Sequence, residues 1–206
     1  MILAVLNFQT FSDAVGLGAL YALMAVGIGL VFGVLRLVNF AYGQLIMAGA
    51  YTLAFTSTWP LLWSIVACFA VVVALSLLMD TVVFRPLRGQ SPAVMLVTTF
   101  AIAFLLQAVA LIVDLRDGTL GEVAPSLSYL NEPVTIFGAE VRKITLVSIA
   151  VAAVALLLLA LLLTRTTIGL HTRAAAADFR TARLLGVRAN RVIAFSVFLS
   201  GLLAAA

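Results

Sequence analysis

The chain reads as an all-α, polytopic helical membrane protein with about six membrane segments, and three observations predict this. Apolar segments recur at the roughly 20 residues needed to cross about 30 Å of hydrocarbon. Of 206 residues, 65% are hydrophobic and only 10% charged, against about 25% charged in soluble domains, and the mean hydropathy is +1.25. A glycine-rich apolar run, Gly18 to Gly33, leads into a polar break from Asn39 to Gln44 and at once into a second apolar run. Soluble domains have little use for that order. In a bilayer, small residues let helices approach, and a polar break can line an aqueous path.

The segments fall at about 14–35, 42–58, 61–83, 92–114, 144–164 and 192–206, forming one transmembrane domain over 1–206. Charged residues mark most of the breaks: Arg36, then Arg85 and Arg88, then a loop over 115–143, then a basic segment over 165–191. The break at Trp59-Pro60 is uncharged, and Trp59 and Trp63 suit a membrane–water interface. The N-terminus lacks a cationic region and a small-residue cleavage site, so the first spans are expected to direct their own insertion. The last segment offers 15 residues, about 22 Å of helix and short of the hydrocarbon thickness. It ends at Ala204-Ala205-Ala206 without a polar cap. The expectation is a fragment, or a chain ending mid-helix, with a genuine half-helix as the alternative.

Basic residues orient the spans. With the N-terminus outside, Arg36, Arg85, Arg88, Arg165, Arg173, Arg180, Arg183, Arg188 and Arg191 face the cytoplasm, nine of the twelve basic residues. Only Arg116, Arg142 and Lys143 lie outside, in a loop that also holds Asp117, Glu122, Glu132 and Glu140. The positive-inside bias supports this orientation. The net charge of +4 therefore belongs to membrane topology and is no nucleic-acid signal. The outer loop carries the turn formers Asp117-Gly118, Pro125, Asn131-Glu132-Pro133 and Phe137-Gly138 around Val134-Thr135-Ile136-Phe137. A small surface hairpin fits that pattern, either as a docking surface for an extracytoplasmic partner or as a connector.

No charged residue lies at the centre of a span, which argues against proton- or ion-coupled transport. Asp80 ends the third span near Arg85 and Arg88, a position that suits the headgroup level. The one histidine, His171, lies in the basic segment, and the single cysteine, Cys68, reads as a packing residue. There is no metal-ligand cluster, nucleophile–base pair or phosphate-binding glycine loop. The chain is read as a non-enzyme with no cofactor bound directly, so uphill transport would draw its energy from another subunit.

Candidate pathway residues are the uncharged polar groups of the spans. Asn39, Tyr42 and Gln44 form the break, while Thr98, Thr99 and Gln107 lie on the fourth span. Within the membrane the break must line a cavity; at the cytoplasmic surface it is a loop. Gln107 and the threonines need a partner, either another helix or a solute. Small residues four apart in the first span, Ala14, Gly18, Ala22 and Ala25, Gly29, Gly33, offer helix-packing faces. In the basic segment, Thr172 is placed to cap a helix from Ala174 to Leu185, which Gly186-Val187 would stop with a left-handed residue. That helix is either a docking element for a soluble partner or a helical positive-inside loop.

Three blocks in order carry a resemblance. The first is Gly18, Tyr21-Ala22-Leu23, Ala25, Gly27, Phe32-Gly33, Asn39-Phe40-Ala41, Gly43, Met47, Gly49 and Tyr51. The second is Arg85-Pro86-Leu87-Arg88-Gly89, continuing to Gln107. The third is Arg173-Ala174, Ala176, Asp178, Ala182, Leu184-Leu185-Gly186 and Arg191-Val192-Ile193. The chain resembles the membrane permeases of branched-chain amino acid ABC importers, the LivH-type group, which includes urea and short-amide permeases.

The resemblance implies a permease subunit in the inner membrane. Its partners would be a second permease, two ATP-binding subunits that consume the ATP, and an extracytoplasmic substrate-binding protein, with lipid around it and no nucleic acid. It further implies that the third block couples to the ATPases, through Arg173, Ala174, Asp178, Arg180, Arg183, Leu185, Gly186 and Val187. Tyr42 stands where relatives commonly have histidine, and Ala177 where they commonly have an acidic or amide residue. Members of the family are also longer. The competing classes are an ATP-independent channel or facilitator for a small polar solute such as urea, and a membrane scaffold.

Overall fold

The computed structural model describes residues 2–35, 39–87, 90–117, 129–136 and 139–206. Arg36, Arg88, Gly89, Gly118, Glu122, Pro125, Phe137 and Gly138 lie outside the described residues, as do the side chains of Arg116 and Arg180.

Uninterrupted apolar sequence gives long helices. Helix α1 spans Ile2–Leu35, starting well before the span expected from residue 14. After the polar break, α2 spans Tyr42–Phe55. Helix α3, Leu61–Met79, starts directly after Pro60, whose fixed φ suits a helix entry. It runs through a π-helical turn, Asp80–Phe84, into α4, Arg85–Leu87. Helix α5 spans Pro92–Asp117. An antiparallel hairpin follows, β1 (Pro133–Ile136) and β2 (Ala139–Arg142), with Val134 opposite Val141. Helix α6 spans Lys143–Arg165, α7 Thr167–Ala177, α8 Phe179–Leu184 and α9 Ala189–Ala205.

Four of these segments are long and apolar enough to cross a bilayer: Phe8–Val34, Leu61–Leu87, Ala93–Val113 and Lys143–Arg165. The two others are shorter. Helix α2 has 14 residues, about 21 Å, because the non-helical residues Asn39 to Ala41 precede it within apolar sequence. Helix α9 has 17 residues, about 26 Å.

Helix α9 organises the bundle by packing on α1, α2 and α3, while α6 also packs on α1. Two apolar clusters result. Val31, Val34, Tyr42, Leu45, Val72, Met79 and Val197 belong to the larger, and Leu23, Ala152, Leu159, Leu199 and Leu203 form the second between α1, α6 and α9. Outward faces remain apolar, as on α5, where Val97, Phe104, Leu105, Val109 and Ile112 are exposed. Such faces suit lipid or another membrane subunit, since the bilayer provides no hydrophobic drive to bury them.

At the hairpin end of the bundle Lys143 pairs with Glu132 and β2 packs against α1, with Val141 buried. Asp80 is buried at the start of the π-helical turn, with Val83 and Phe84 of the same turn. The helix does not stop there but continues to Leu87, which keeps that turn against the bundle.

Candidate functional site

Among the described residues of the break between α1 and α2, Asn39 and Ala41 bond to the backbone that follows. Asn39 Oδ1 accepts from the Ala41 N–H at 3.0 Å, and the Asn39 carbonyl accepts from the Tyr42 N–H at 3.2 Å. The Ala41 carbonyl accepts from the N–H groups of Gln44 and Leu45 at 3.1 and 3.3 Å. An Asn side chain bonding two residues on supplies the partner that a broken helix loses, which lets the break sit away from water. Asn39, Ala41, Tyr42 and Leu45 are all buried.

Tyr42 turns its ring against α1. A β-carbon at Gly27 would overlap the Tyr42 hydroxyl, so glycine is what allows this approach. The carbonyl of the same Gly27 accepts from Ser200 Oγ of α9 at 2.8 Å. Gly27 lies eight residues before the end of α1 at Leu35, and Ser200 eleven residues after the start of α9 at Ala189. The contact is therefore about 12 Å inside one helix and about 16 Å inside the other. Among the described residues, two buried polar side-chain atoms lack a hydrogen-bond partner, Tyr42 Oη and Gln44 Oε1. An unmade buried bond costs about 1–3 kcal/mol, and such atoms in a native site call for an explanation.

Helix α5 reaches the break through Phe100, whose ring stacks on Phe40 at 4.3 Å between centroids. The neighbouring Thr99 is buried and Thr98 half-buried. Their hydroxyls donate to their own helix, to the carbonyls of Leu96 at 2.9 Å and Val94 at 2.8 Å. Gln107 lies eight residues beyond Thr99, about 12 Å along the helix, and is exposed on the outer surface of this chain. Asn39, Tyr42 and Gln44 thus lie together at the start of α2, Thr99 is buried one residue before the Phe100 that stacks on Phe40, and Gln107 is exposed.

The polar residues not anticipated are serines. Ser64 and Ser76 on α3, and Ser196 and Ser200 on α9, are all buried. Ser76 Oγ donates across to the Val197 carbonyl at 2.9 Å, as Ser200 does to Gly27. Their spacing was a readable signal: Ser64, Cys68, Val72 and Ser76 step by four, as do Val192, Ser196, Ser200 and Ala204, which places each set on one helix face. Cys68 contacts the Gly49 carbonyl at 3.5 Å and is buried.

The small-residue tracks of α1 divide. Gly18 and Gly29 are exposed, with nothing within 4 Å of an added β-carbon. Ala22 is half-buried, and Gly33 faces Ala176 Cβ at 3.9 Å.

The basic segment is two helices, where the sequence suggested one from Ala174 to Leu185. Thr166, not Thr172, caps the first, its Oγ1 accepting from the Gly169 N–H at 3.0 Å. Thr172 is buried and donates to the Ile168 carbonyl at 2.9 Å. The helix stops at Asp178 (φ −146, ψ 103). The Asp178 carboxylate then caps α8, accepting from the Thr181 N–H at 3.1 Å and from its hydroxyl. Aspartate competes with helix in the interior but favours the cap, so the alanine run breaks there.

Helix α8 ends in a Schellman closure. The Gly186 N–H donates to the Arg183 carbonyl at 3.1 Å and the Val187 N–H to Ala182 at 3.0 Å, with Gly186 at φ 89, a conformation glycine adopts without strain. Val187 packs on the core together with Phe179 and Ala182. Arg173, Ala174, Asp178 and Arg183 face solvent. Leu184 and Leu185 project at the tip, 83% and 80% exposed; Leu184 belongs to the third block but not to the coupling residues the resemblance implies.

A family profile described as branched-chain amino acid transport system / permease component matches residues 10–206. The chain is 27% identical over 209 residues to the high-affinity branched-chain amino acid transport system permease protein BraD of Pseudomonas aeruginosa, covering 96% of this chain and 68% of that protein. It is 26% identical over 211 residues to the corresponding LivH protein of Salmonella typhimurium, with the same coverage of each. To LivH of Escherichia coli it is 27% identical over 211 residues, again covering 96% and 68%. No solved structure matches the chain significantly.

Proposed function

The chain belongs to the permease-component family of branched-chain amino acid transport systems, and from that premise we propose that it is the membrane-spanning subunit of an importer driven by two partner ATPases. Branched-chain amino acids are the proposed cargo, delivered by an extracytoplasmic binding protein. A second permease completes the path, and this subunit hydrolyses nothing itself. The N-terminus lies outside, the spans are those given above, and the 165–191 segment is cytoplasmic.

One observation carries the proposal. Helix α8 is held rigidly by the Asp178 cap and the Gly186 closure, rests on the core through Ala182 and Phe179, and presents two leucines to solvent. Exposed apolar residues on a fixed polar element mark a protein-docking surface. A push on α8 passes to α9 through Val187 and the residues beyond it, and α9 holds α1 and α3 through Ser200 and Ser76. The Tyr42 hydroxyl lies against Gly27, at the end of that chain of contacts. The depth of this contact, about 12–16 Å along the helices, is close to half of a roughly 30 Å hydrocarbon layer. An unpaired hydroxyl there suits a solute that passes by alternating access.

The test is uptake of labelled leucine into proteoliposomes holding the complete importer. The double variant Leu184→Asp/Leu185→Asp should lose both co-purification of the ATPases and ATP-dependent uptake, by tenfold or more on the order of a lost docking hot spot. Full association and uptake in that variant would overturn the coupling role, and equal flux without ATP would overturn the importer reading.

A further inference from the structure

Three basic side chains line one cavity beside the link between α8 and α9. A cavity of about 400 Å³ opens between α7 and α9, and Thr167, Ile168, His171, Arg188, Arg191 and Phe195 are among the residues lining it. Its lining contains no carboxylate. Arg188 precedes the first turn of α9 and Arg191 lies within it, where the helix dipole adds positive potential. His171 faces them from α7, two turns after α6 ends at Arg165.

The level of the cavity identifies its ligand. Arg165 closes the apolar span Lys143–Arg165, and the apolar helix Asn190–Ala205 begins beside Arg191, so the cationic rim lies at the bilayer boundary. Val192 follows Arg191 directly and Phe195 continues the wall one turn deeper, at the depth of glycerol and the first acyl carbons. A site cationic at the rim and apolar beneath is complementary to a phosphate carried on a lipid. We infer that the α7–α9 cavity binds the phosphodiester headgroup of an anionic glycerophospholipid, with Arg188, Arg191 and His171 holding the phosphate and Phe195 the glycerol backbone. The inference requires only that the chain spans a bilayer, so it stands or falls independently of cargo and ATPase coupling. A bound lipid would tie the start of α9 to α7, stiffening the connection between α8 and the bundle.

Native mass spectrometry of the purified complex in mild detergent, titrated with phosphatidylglycerol and with phosphatidylcholine, tests the site. At about 1 kcal/mol per basic residue near an anionic surface, two arginines predict a roughly thirtyfold preference for phosphatidylglycerol. Arg188→Gln with Arg191→Gln should bring that preference close to parity, and Arg188→Lys with Arg191→Lys should keep most of it. Arg165→Gln, which removes a charge at the same level but outside the cavity, should leave it unchanged. An equal loss in Arg165→Gln would mean diffuse surface attraction and overturn the site. Should the glutamine variant fail to fold, a photoreactive phosphatidylglycerol on the wild-type complex still decides the matter. Crosslinks on peptides of α7 and the first turns of α9 support the site, and crosslinks confined elsewhere overturn it. Inorganic phosphate separates the sources: complete displacement of the lipid by millimolar phosphate would assign the cavity to a soluble anion instead.

Discussion

Tyr42 presses its hydroxyl against Gly27 with no hydrogen-bond partner among the described residues, and that pairing separates packing from function. Tyr42→Phe keeps the ring and removes the unpaired group. Thermal stability in detergent should stay level or rise, because an unsatisfied buried hydroxyl costs about 1–3 kcal/mol. Leucine uptake should fall severalfold if that hydroxyl meets the solute, and unchanged uptake would exclude the contact. Gly27→Val should do the opposite to stability, since the new side chain must displace the Tyr42 ring, at about 1–3 kcal/mol for overpacking. Ser200→Ala removes one interhelical bond to the Gly27 carbonyl and should cost only about 0.6 kcal/mol, the average for such bonds in membranes. Tyr42 was legible as part of a polar break. Its partner was not, because Gly27 in the sequence looks like any small residue of a packing track, and only the approach of α2 distinguishes it from Gly29 two positions on, which faces outward.

At the scale of elements, α8 depends on two ends within a span of nine residues. Asp178→Ala removes the side-chain acceptor at its start and should cost about 1 kcal/mol locally. Gly186→Ala must adopt φ 89, at about 1–2 kcal/mol. Both changes should speed amide exchange across 179–187 while leaving α9 protected, and uptake per ATP hydrolysed should drop in step with that exchange. Unchanged protection would show that core packing alone holds α8. Gly186-Val187 was readable as a helix stop because an αL glycine followed by an apolar residue has few other uses. The division at Asp178 was missed because alanines dominate the local propensity, whereas a carboxylate reaching the Thr181 N–H makes a second start possible. Similarly, 42–58 has the composition of a span, yet a helix of 14 residues begins beside α1 because Asn39 replaces the lost backbone bonds.

For the whole molecule, the proposed orientation predicts opposite accessibility at the two ends of α6. A cysteine at Glu140, exposed on β2, should react with a membrane-impermeant maleimide in intact cells, and one at Arg165 only after permeabilisation. The reverse pattern would invert the topology; the native Cys68 is buried and should contribute little background. The all-helical membrane class, the positions of the long apolar segments, the basic segment and the family blocks followed from the sequence by itself, because hydrophobic length, charge bias and ordered motifs are properties of the chain read one stretch at a time. Tertiary structure alone decided that α9 packs on α1, α2 and α3, that Thr99 is buried while Gln107 is exposed, and that serines of α3 and α9 bridge helices. Those outcomes depend on which helix faces meet, and in a chain apolar on nearly every face, hydropathy cannot tell a face that meets another helix from one that meets lipid.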